Sequence, residues 1–289
     1  MKIAYIILAH KNPKQLIRLI NCLDVEKSTF FVHIDKKAEQ NIYQEVCEFT
    51  NKKSNIFILK RKKIYWGDFS QISPVLLGVK EIFKQNIDFD YAKLLTGQDY
   101  PIKSRKEIED FLLANPNKSF MEYFPIPSKQ WQEGGEIDGG ISRIRYLYLR
   151  IFNKRFKTKI ERQFPKKFQP FAGSAYWCLS RECAEYLNNF INKHKFFINF
   201  FKGVNLPDEI FFQTIFLNSP FKKDIINNNL TYTDWSTNEA HPATLCAKDL
   251  ETLSKSSCLF ARKFDIYQDS KILDLASRAC RLRPPACLP

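Results

Sequence analysis

From Lys2 to Gly97, short apolar runs alternate with segments whose apolar residues recur every three or four positions. "KIAYIILAH" (Lys2–His10) reads as a strand, and "KQLIRLINCLD", apolar at Leu16, Leu19, Ile20 and Leu23, as a helix. "TFFVHID" (Thr29–Asp35), "NIFILK" (Asn55–Lys60) and "YAKLLTG" (Tyr91–Gly97) are three further strands. "QNIYQEVCEFT" and "SPVLLGVKEIFKQ" (Ser73–Gln85) have the helical period between them. Strands that alternate with helices predict βαβ units and a mostly parallel, twisted sheet flanked by helices, an α/β fold.

Beyond residue 105 the pattern is mixed. "SFMEYF" is strand-like and sets Glu122 among aromatic residues. "FAGSAYWCLSRECAEYL" reads as a small-residue turn, a strand and a helix capped by Ser180, and "INNNLTYTDWS" as a strand ending on Asp234, Trp235 and Ser236. "KFFINFF" (Lys195–Phe201) is read as a core helix. In "NLPDEIFFQTI", Asn205 is placed to cap a helix with Pro207 in its first turn. The acids Asp208 and Glu209 would then face the positive end of the dipole, which favours an ionised carboxylate able to act as a general base. "RIRYLYLRIFNKRFKTKIERQFPKKF" (Arg143–Phe168) has Glu161 as its only acid, and its Arg145, Tyr146, Arg150 and Lys154 fit one face of a basic amphipathic helix.

In a parallel sheet, ligands bind beyond the carboxyl ends of the strands. Polar residues follow the apolar runs there: His10 with Lys11, Asp35 with Lys36, Gln98 with Asp99. Three such ends in register suggest a nucleotide or sugar-nucleotide site. Neither a GxGxxG nor a GxxxxGK[ST] motif is present, which argues against a dinucleotide fold or a P-loop. "DFD" (Asp88–Asp90) has the spacing of a metal-binding pair but precedes its strand, at the opposite edge of the sheet, so no metal site is expected. Arg262 and Lys263, flanked by Phe260 and Phe264, form a basic pair of the kind that suits a diphosphate.

The 289-residue chain is long enough for a sizeable core, and at 44% hydrophobic and 15% aromatic, with 26 Phe, it reads as one packed globular domain. Lys and Arg number 45 against 31 Asp and Glu, a net charge of +14 that calls for an anionic partner. Nucleic acid is one such partner, since aromatic residues interleave with the cations of 143–168, but no RRM, KH or helix-turn-helix signature accompanies them. An anionic membrane surface is another. The first residues lack the apolar core and cleavage site of a signal peptide, and no apolar run reaches the roughly 18–20 residues of a membrane span. A cytoplasmic location, peripheral at the inner membrane face, is therefore expected. The eight cysteines show no CxxC spacing and read as mostly buried thiols. The end, "SRACRLRPPACLP" (277–289), departs from the lysine-rich body and is set apart as a disordered tail.

Taken in order, "YIILAH", "HIDKK", "WGDFS", "LLTGQDYPI", "EYF", "GSAYWCLSR", "PDEIFFQT", "DWS" and "LFARKFD" resemble glycosyltransferase family 14. That family includes the core-2/I-branching β-1,6-N-acetylglucosaminyltransferases and the peptide O-xylosyltransferases. The resemblance spans Lys2 to Asp265 and implies a GT-A-like α/β fold over residues 1–276, with a donor-binding half (1–104) and an acceptor-binding, catalytic half (105–276). It also implies an inverting, metal-independent transfer of GlcNAc or xylose from a UDP-sugar to a glycan, glycolipid or protein hydroxyl. No cofactor and no nucleic acid are expected. Glu209 matches the family's general base, and Lys263 with Arg262 its diphosphate cations. His10, Asp35 and Asp99 fall at donor positions; Glu122, Arg143, Arg145 and Trp235 fall at acceptor positions. "FFQTIFLNSP" and "FARKFD" look closer to the xylosyltransferase branch, and the lysine-rich chain suggests a bacterial cell-surface glycan enzyme. A catalytically inactive sugar- or membrane-binding protein of the same fold, or a basic nucleic-acid-binding protein, is the alternative.

Overall fold

In the computed structural model the structure describes residues 1–24, 27–237, 239 and 241–282, the last five by their backbone alone. The chain divides into two compact units, one built from residues 1–58, 88–116 and 230–289, the other from 59–87 and 117–229.

The first unit contains the expected βαβ pattern. β1 (Ile3–Ala9), β2 (Ser28–Ile34), β3 (Ile56–Ile58) and β4 (Tyr91–Thr96) pair in parallel in the order β4-β1-β2-β3. Their β-branched and aromatic residues are buried along nearly the whole length, as a sheet covered on both faces requires. α1 (Pro13–Leu23) starts with proline in its first turn and buries Leu16, Leu19, Ile20 and Leu23, while α2 (Gln40–Thr50) follows β2. A short second sheet joins β5 (Asp99–Pro101) to the strand Phe260–Arg262, which also pairs with Thr231–Thr233. The register sets the strand ends level: Ala9 lies opposite Ile34 and Leu8 opposite Thr96, and the Asp35 amide donates to the Ala9 carbonyl at 2.8 Å.

Gln15 ties this edge together. It is fully buried, its Nε2 donates to the carbonyls of Gly97 (2.9 Å) and Phe264 (3.1 Å), and its Oε1 accepts from the Ile266 amide (2.7 Å). No tail begins at Ser277. The helix Ser270–Leu282 runs past it, and the buried Ser277 hydroxyl meets Tyr100 and Arg18 because an amphipathic helix carries it into the core. The remainder, 283–289, lies outside the described residues.

The second unit packs the strand Ser119–Met121 between Trp177–Ser180 and Ile225–Ile226. The Ser180 hydroxyl caps the helix Arg181–Lys193 as expected. Lys195–Phe201 is the core helix anticipated from its composition, with Phe197, Phe200 and Phe201 buried. Phe197 and Phe201 pack around Phe211 at 5.1–5.6 Å between ring centroids, and Phe211 also touches Phe212 and Phe69.

Two local expectations are corrected. The basic stretch is not an amphipathic helix; after the short helix Ile141–Arg145 it forms an antiparallel hairpin, Tyr146–Ile151 with Lys154–Glu161. Aromatic and β-branched residues at alternate positions favour a pleated ribbon over a helix. The acid pair is not the first turn of an α-helix capped by Asn205. Pro207–Glu209 is a 3-10 turn entered through Leu206, and the α-helix proper is Phe211–Leu217. Two of eight cysteines, Cys178 and Cys183, are buried; Cys22, Cys47, Cys246 and Cys258 are half-buried, so the thiols are less hidden than expected, and no disulfide joins these six.

Replacing Gln15 with Leu is expected to destabilise the chain by about 2–4 kcal/mol in chemical denaturation, since two carbonyls and an amide are left buried without partners. A loss under 1 kcal/mol would show that water replaces the side chain.

Candidate active site

In the first unit the strand ends assemble a cationic cluster. His10 follows β1, its imidazole lowered below the usual value by partial desolvation and by Lys11, against the pull of Asp35. Asp35 closes β2, accepts from the Lys37 amide at 2.8 Å and lies 4.0 Å from the Lys37 ammonium. Lys11 pairs with Asp265 at 2.6 Å, and Asn12 donates to the same carboxylate at 3.0 Å. Although desolvation opposes it, these contacts hold Asp265 below the usual carboxylate range.

Asp99 is fully buried, and both its oxygens are taken. Oδ2 accepts from the Thr96 amide (2.7 Å); Oδ1 accepts from the Thr96 hydroxyl (2.8 Å) and from Arg262 Nε (3.2 Å). Thus Asp99 orients Arg262. Lys263 follows at the strand's end, and desolvation, then Lys11 and Arg262, lower its ammonium below the usual value. Among the described residues no carboxylate lies within ion-pair distance of Lys263. A cation crowded by cations is a ready receiver for an anion. The Asp88–Asp90 pair sits at the opposite, amino edge of β4, where both acids bind Lys2.

In the second unit the acids gather. Gly173 brings two backbones together: its amide donates to the Glu209 carbonyl at 2.9 Å, and a Cβ on it would lie 1.9 Å from the Glu122 carbonyl oxygen. Gln213, about one turn of chain after the acids, is fully buried and donates to the Ser174 carbonyl at 2.6 Å. Glu122, pushed up by burial and eased by Asn229, accepts from that amide at 3.0 Å.

Glu209 Oε2 binds Arg143 Nη1 at 2.5 Å, and Arg143 also grips Glu136 with its Nε at 2.9 and 3.0 Å. Trp131 covers the guanidinium at 3.8 Å. Desolvation raises Glu209 above the ordinary carboxylate value and Arg143 pulls it back. Its neighbour Asp208 has no such cation in contact. Gln71 donates to Asp208 Oδ2 at 3.2 Å, Oδ1 is buried without a hydrogen bond, and burial followed by the Glu209 charge pushes the group up to about 7. The two acids are thus distinguished: Glu209 is a paired, half-buried carboxylate, and Asp208, with no ion-pair partner, keeps its proton up to about pH 7.

Arg145 and Trp235 are not drawn into these clusters. Arg145 is exposed and pairs with Glu161 at 2.8 Å, while Trp235 is 56% exposed beyond the strand Thr231–Thr233. Sequence reasoning missed Glu136, Trp131, Gln71 and Asp265, and noted Lys11 only as a neighbour of His10. Gln71 and Asp265 reach their partners across distant stretches of chain, while Glu136 and Trp131 lie within a dozen residues of Arg143 in a segment with no regular pattern.

A family model of Core-2/I-branching enzymes matches residues 3–255, and the chain belongs to that family. Among curated relatives, xylosyltransferase oxt of Drosophila melanogaster is 23% identical over 273 residues, covering 87% of this chain and 30% of the relative. Xylosyltransferase 2 of Rattus norvegicus is 25% identical over 246 residues, 82% of this chain and 27% of the relative. The chain thus spans under a third of the curated relatives it matches. Of solved structures, the galactosyltransferase LgtC in complex with donor and acceptor sugar analogs aligns over 98% of both chains at 9% identity and a TM-score of 0.40. The apo-form glycosyltransferase GlyE of Streptococcus pneumoniae aligns over 98% of this chain and 61% of its own, at 9% identity and a TM-score of 0.42. The family assignment rests on the sequence match, not on these two alignments.

The half-buried Asp208, with its Oδ1 out of reach of solvent, carries a pH signature. Its folded value lies above its unfolded one, so the folded state binds an extra proton between them, and stability falls as pH rises through about 7. Asp208→Asn is expected to remove this slope and to be the more stable form above neutrality. Parallel urea titrations of both chains across pH 5–9 (about two units either side of 7) check it; equal slopes would place Asp208 in water.

Proposed function

We propose that the chain is an inverting glycosyltransferase that moves a sugar, xylose or GlcNAc, from a UDP-sugar to a hydroxyl of a glycan, glycolipid or protein acceptor. The observation that carries this reading is the Glu209–Arg143 pair. A carboxylate raised above its ordinary value by burial and held ionisable by one arginine is suited to take a proton from a hydroxyl. In this reading Glu209 takes the acceptor hydroxyl proton as that oxygen attacks the anomeric carbon, and the bond to the diphosphate breaks on the opposite face. Arg143 orients the base, and Glu136 keeps Arg143 from neutralising it outright. Glu122 and Trp235 are assigned to acceptor binding, with Arg145 at its margin.

Lys263 and Arg262 are assigned to the leaving diphosphate, whose two developing charges need cations in the transition state. Lys11 adds a third cation beside them. His10 and Asp35 are assigned to the nucleoside and donor sugar, and Asp99 to holding Arg262 in place. No metal enters this mechanism. The family's xylosyltransferases favour xylose as the donor sugar to test before GlcNAc.

Glu209→Gln is expected to abolish transfer, read as UDP release with UDP-xylose and UDP-GlcNAc over an acceptor panel. Its stability should change by no more than about 1–2 kcal/mol, because the amide still reaches Arg143. Asp208→Asn should retain most activity; if it were the inactive variant and Glu209→Gln the active one, the base would be misassigned.

Lys263→Ala should cost on the order of 2–4 kcal/mol in transition-state stabilisation, comparable to deleting an oxyanion donor. Activity should persist in excess EDTA. Complete loss in EDTA restored by Mn²⁺ would reject the metal-free mechanism.

A further inference from the structure

The hairpin Tyr146–Ile151 and Lys154–Glu161 has two chemically different faces. On one, Arg150 and Arg155 pair with each other in register and both reach Asp68, at 3.5 and 2.8 Å, while Arg150 stacks on Tyr65 at 3.9 Å. These cations are used inside the unit. The other face is apolar and bare: Leu149 lies opposite Phe156 and Ile151 opposite Lys154, and the turn carries Phe152. Phe152 is 90% exposed and Ile151 55%, with Leu149, Phe156 and Ile160 close to half.

The lysines are divided between the faces: Lys154 shares the apolar one, opposite Ile151, while Lys157, opposite Tyr148, lies on the arginine side near the tip. Lys154, Lys157 and Lys159 are exposed, and none has a carboxylate within ion-pair distance among the described residues. Lys157 lies over the Tyr146 ring at 4.0 Å, an ammonium on an aromatic stem. A large aromatic side chain at the tip of a two-stranded ribbon offers no concave pocket to a folded partner. It does suit insertion into a soft apolar layer, with lysine ammonium groups left at the level of anionic headgroups.

We infer that this hairpin is a membrane-docking element: Phe152 and Ile151 enter the interfacial layer of an anionic bilayer while Lys154, Lys157 and Lys159 bind its headgroups. The occupant follows from charge complementarity together with the exposed apolar tip. A lipid surface satisfies both, whereas a soluble acidic polymer would leave Phe152 in water. The element is a strand ribbon, not the basic helix that the same residues suggest from sequence, and insertion does not depend on Glu209 or Lys263 being catalytic.

Flotation of the full chain with vesicles of phosphatidylcholine alone or with added phosphatidylglycerol tests this. Binding is expected only with the anionic vesicles and should weaken with salt. Phe152 has a φ of 53°, so Phe152→Asn keeps a residue that tolerates the turn. Combined with Ile151→Thr, it should weaken binding on the order of tenfold or more. Lys154→Gln, Lys157→Gln and Lys159→Gln together should abolish the preference for anionic lipid. In Phe152→Trp, the emission contributed by the new indole should shift to the blue with anionic vesicles and stay unchanged with neutral ones. Circular dichroism and donor hydrolysis without vesicles should match the unsubstituted chain in every variant. The proposal is overturned by equal flotation with both lipids, by apolar variants that float undiminished, or by an unshifted indole on bound vesicles. Retention by an acidic soluble polymer in place of vesicles would likewise overturn it.

Discussion

A carboxylate leaves water at a cost of several kcal/mol unless a cation accompanies it. In the second unit one guanidinium meets that requirement for two acids: Arg143 binds Glu136 and Glu209 together under the Trp131 ring. Room for the ring comes from Gly140, at φ 91°, where a Cβ would lie 2.2 Å from Trp131. The arginine makes no ion pair with Asp208, and that omission separates two adjacent acids into a paired carboxylate and one whose value is raised to about 7. Removing Arg143 would strand both Glu136 and Glu209, whereas removing Glu209 leaves Arg143 a partner. The pair is therefore asymmetric in energy as well as in chemistry.

The first unit has the converse problem, too many cations at one sheet edge. Two are compensated from within: Arg262 by the fully buried Asp99, Lys11 by Asp265. Lys263, among the described residues, is compensated by no ion pair, and its value is lowered by desolvation first and then by repulsion from Lys11 and Arg262. An incoming diphosphate would relieve it. Under the proposed function, affinity for the anion would follow from this charge imbalance, with Asp99 and Gln15 holding the edge through buried hydrogen bonds.

Period and alternation made the first unit legible from sequence, because a parallel sheet covered on both faces writes continuous apolar runs whose ends are abrupt. His10, Asp35 and Asp99 were found by position alone, and the register sets those strand ends level. What alternation does not report is whether a polar end residue faces outward: Asp99 turned inward to Thr96 and Arg262. The hairpin was missed because cations at helical spacing masked the period-two order of Tyr146, Tyr148 and Arg150. The raised value of Asp208 was illegible for a deeper reason. Its environment is made by Gln71, Glu209 and the packing behind them, none of which local spacing encodes.

That packing also accounts for the abundance of phenylalanine. Leu206 enters the acid turn at φ 46°, a left-handed conformation that costs a branched residue on the order of 1–2 kcal/mol. Its amide is held by the Gly67 carbonyl at 3.1 Å, but one hydrogen bond contributes only about 1 kcal/mol net. Phe211 and Phe212, immediately after the turn, are both buried among Phe69, Phe197, Phe201 and Trp177. Burying each contributes roughly 1.5–3 kcal/mol, enough to hold the turn in a conformation it would not otherwise adopt. Strain at the acids is thus offset a few residues away by rings that touch no substrate. A smaller side chain at Phe211 would relax the turn before it unfolded the domain.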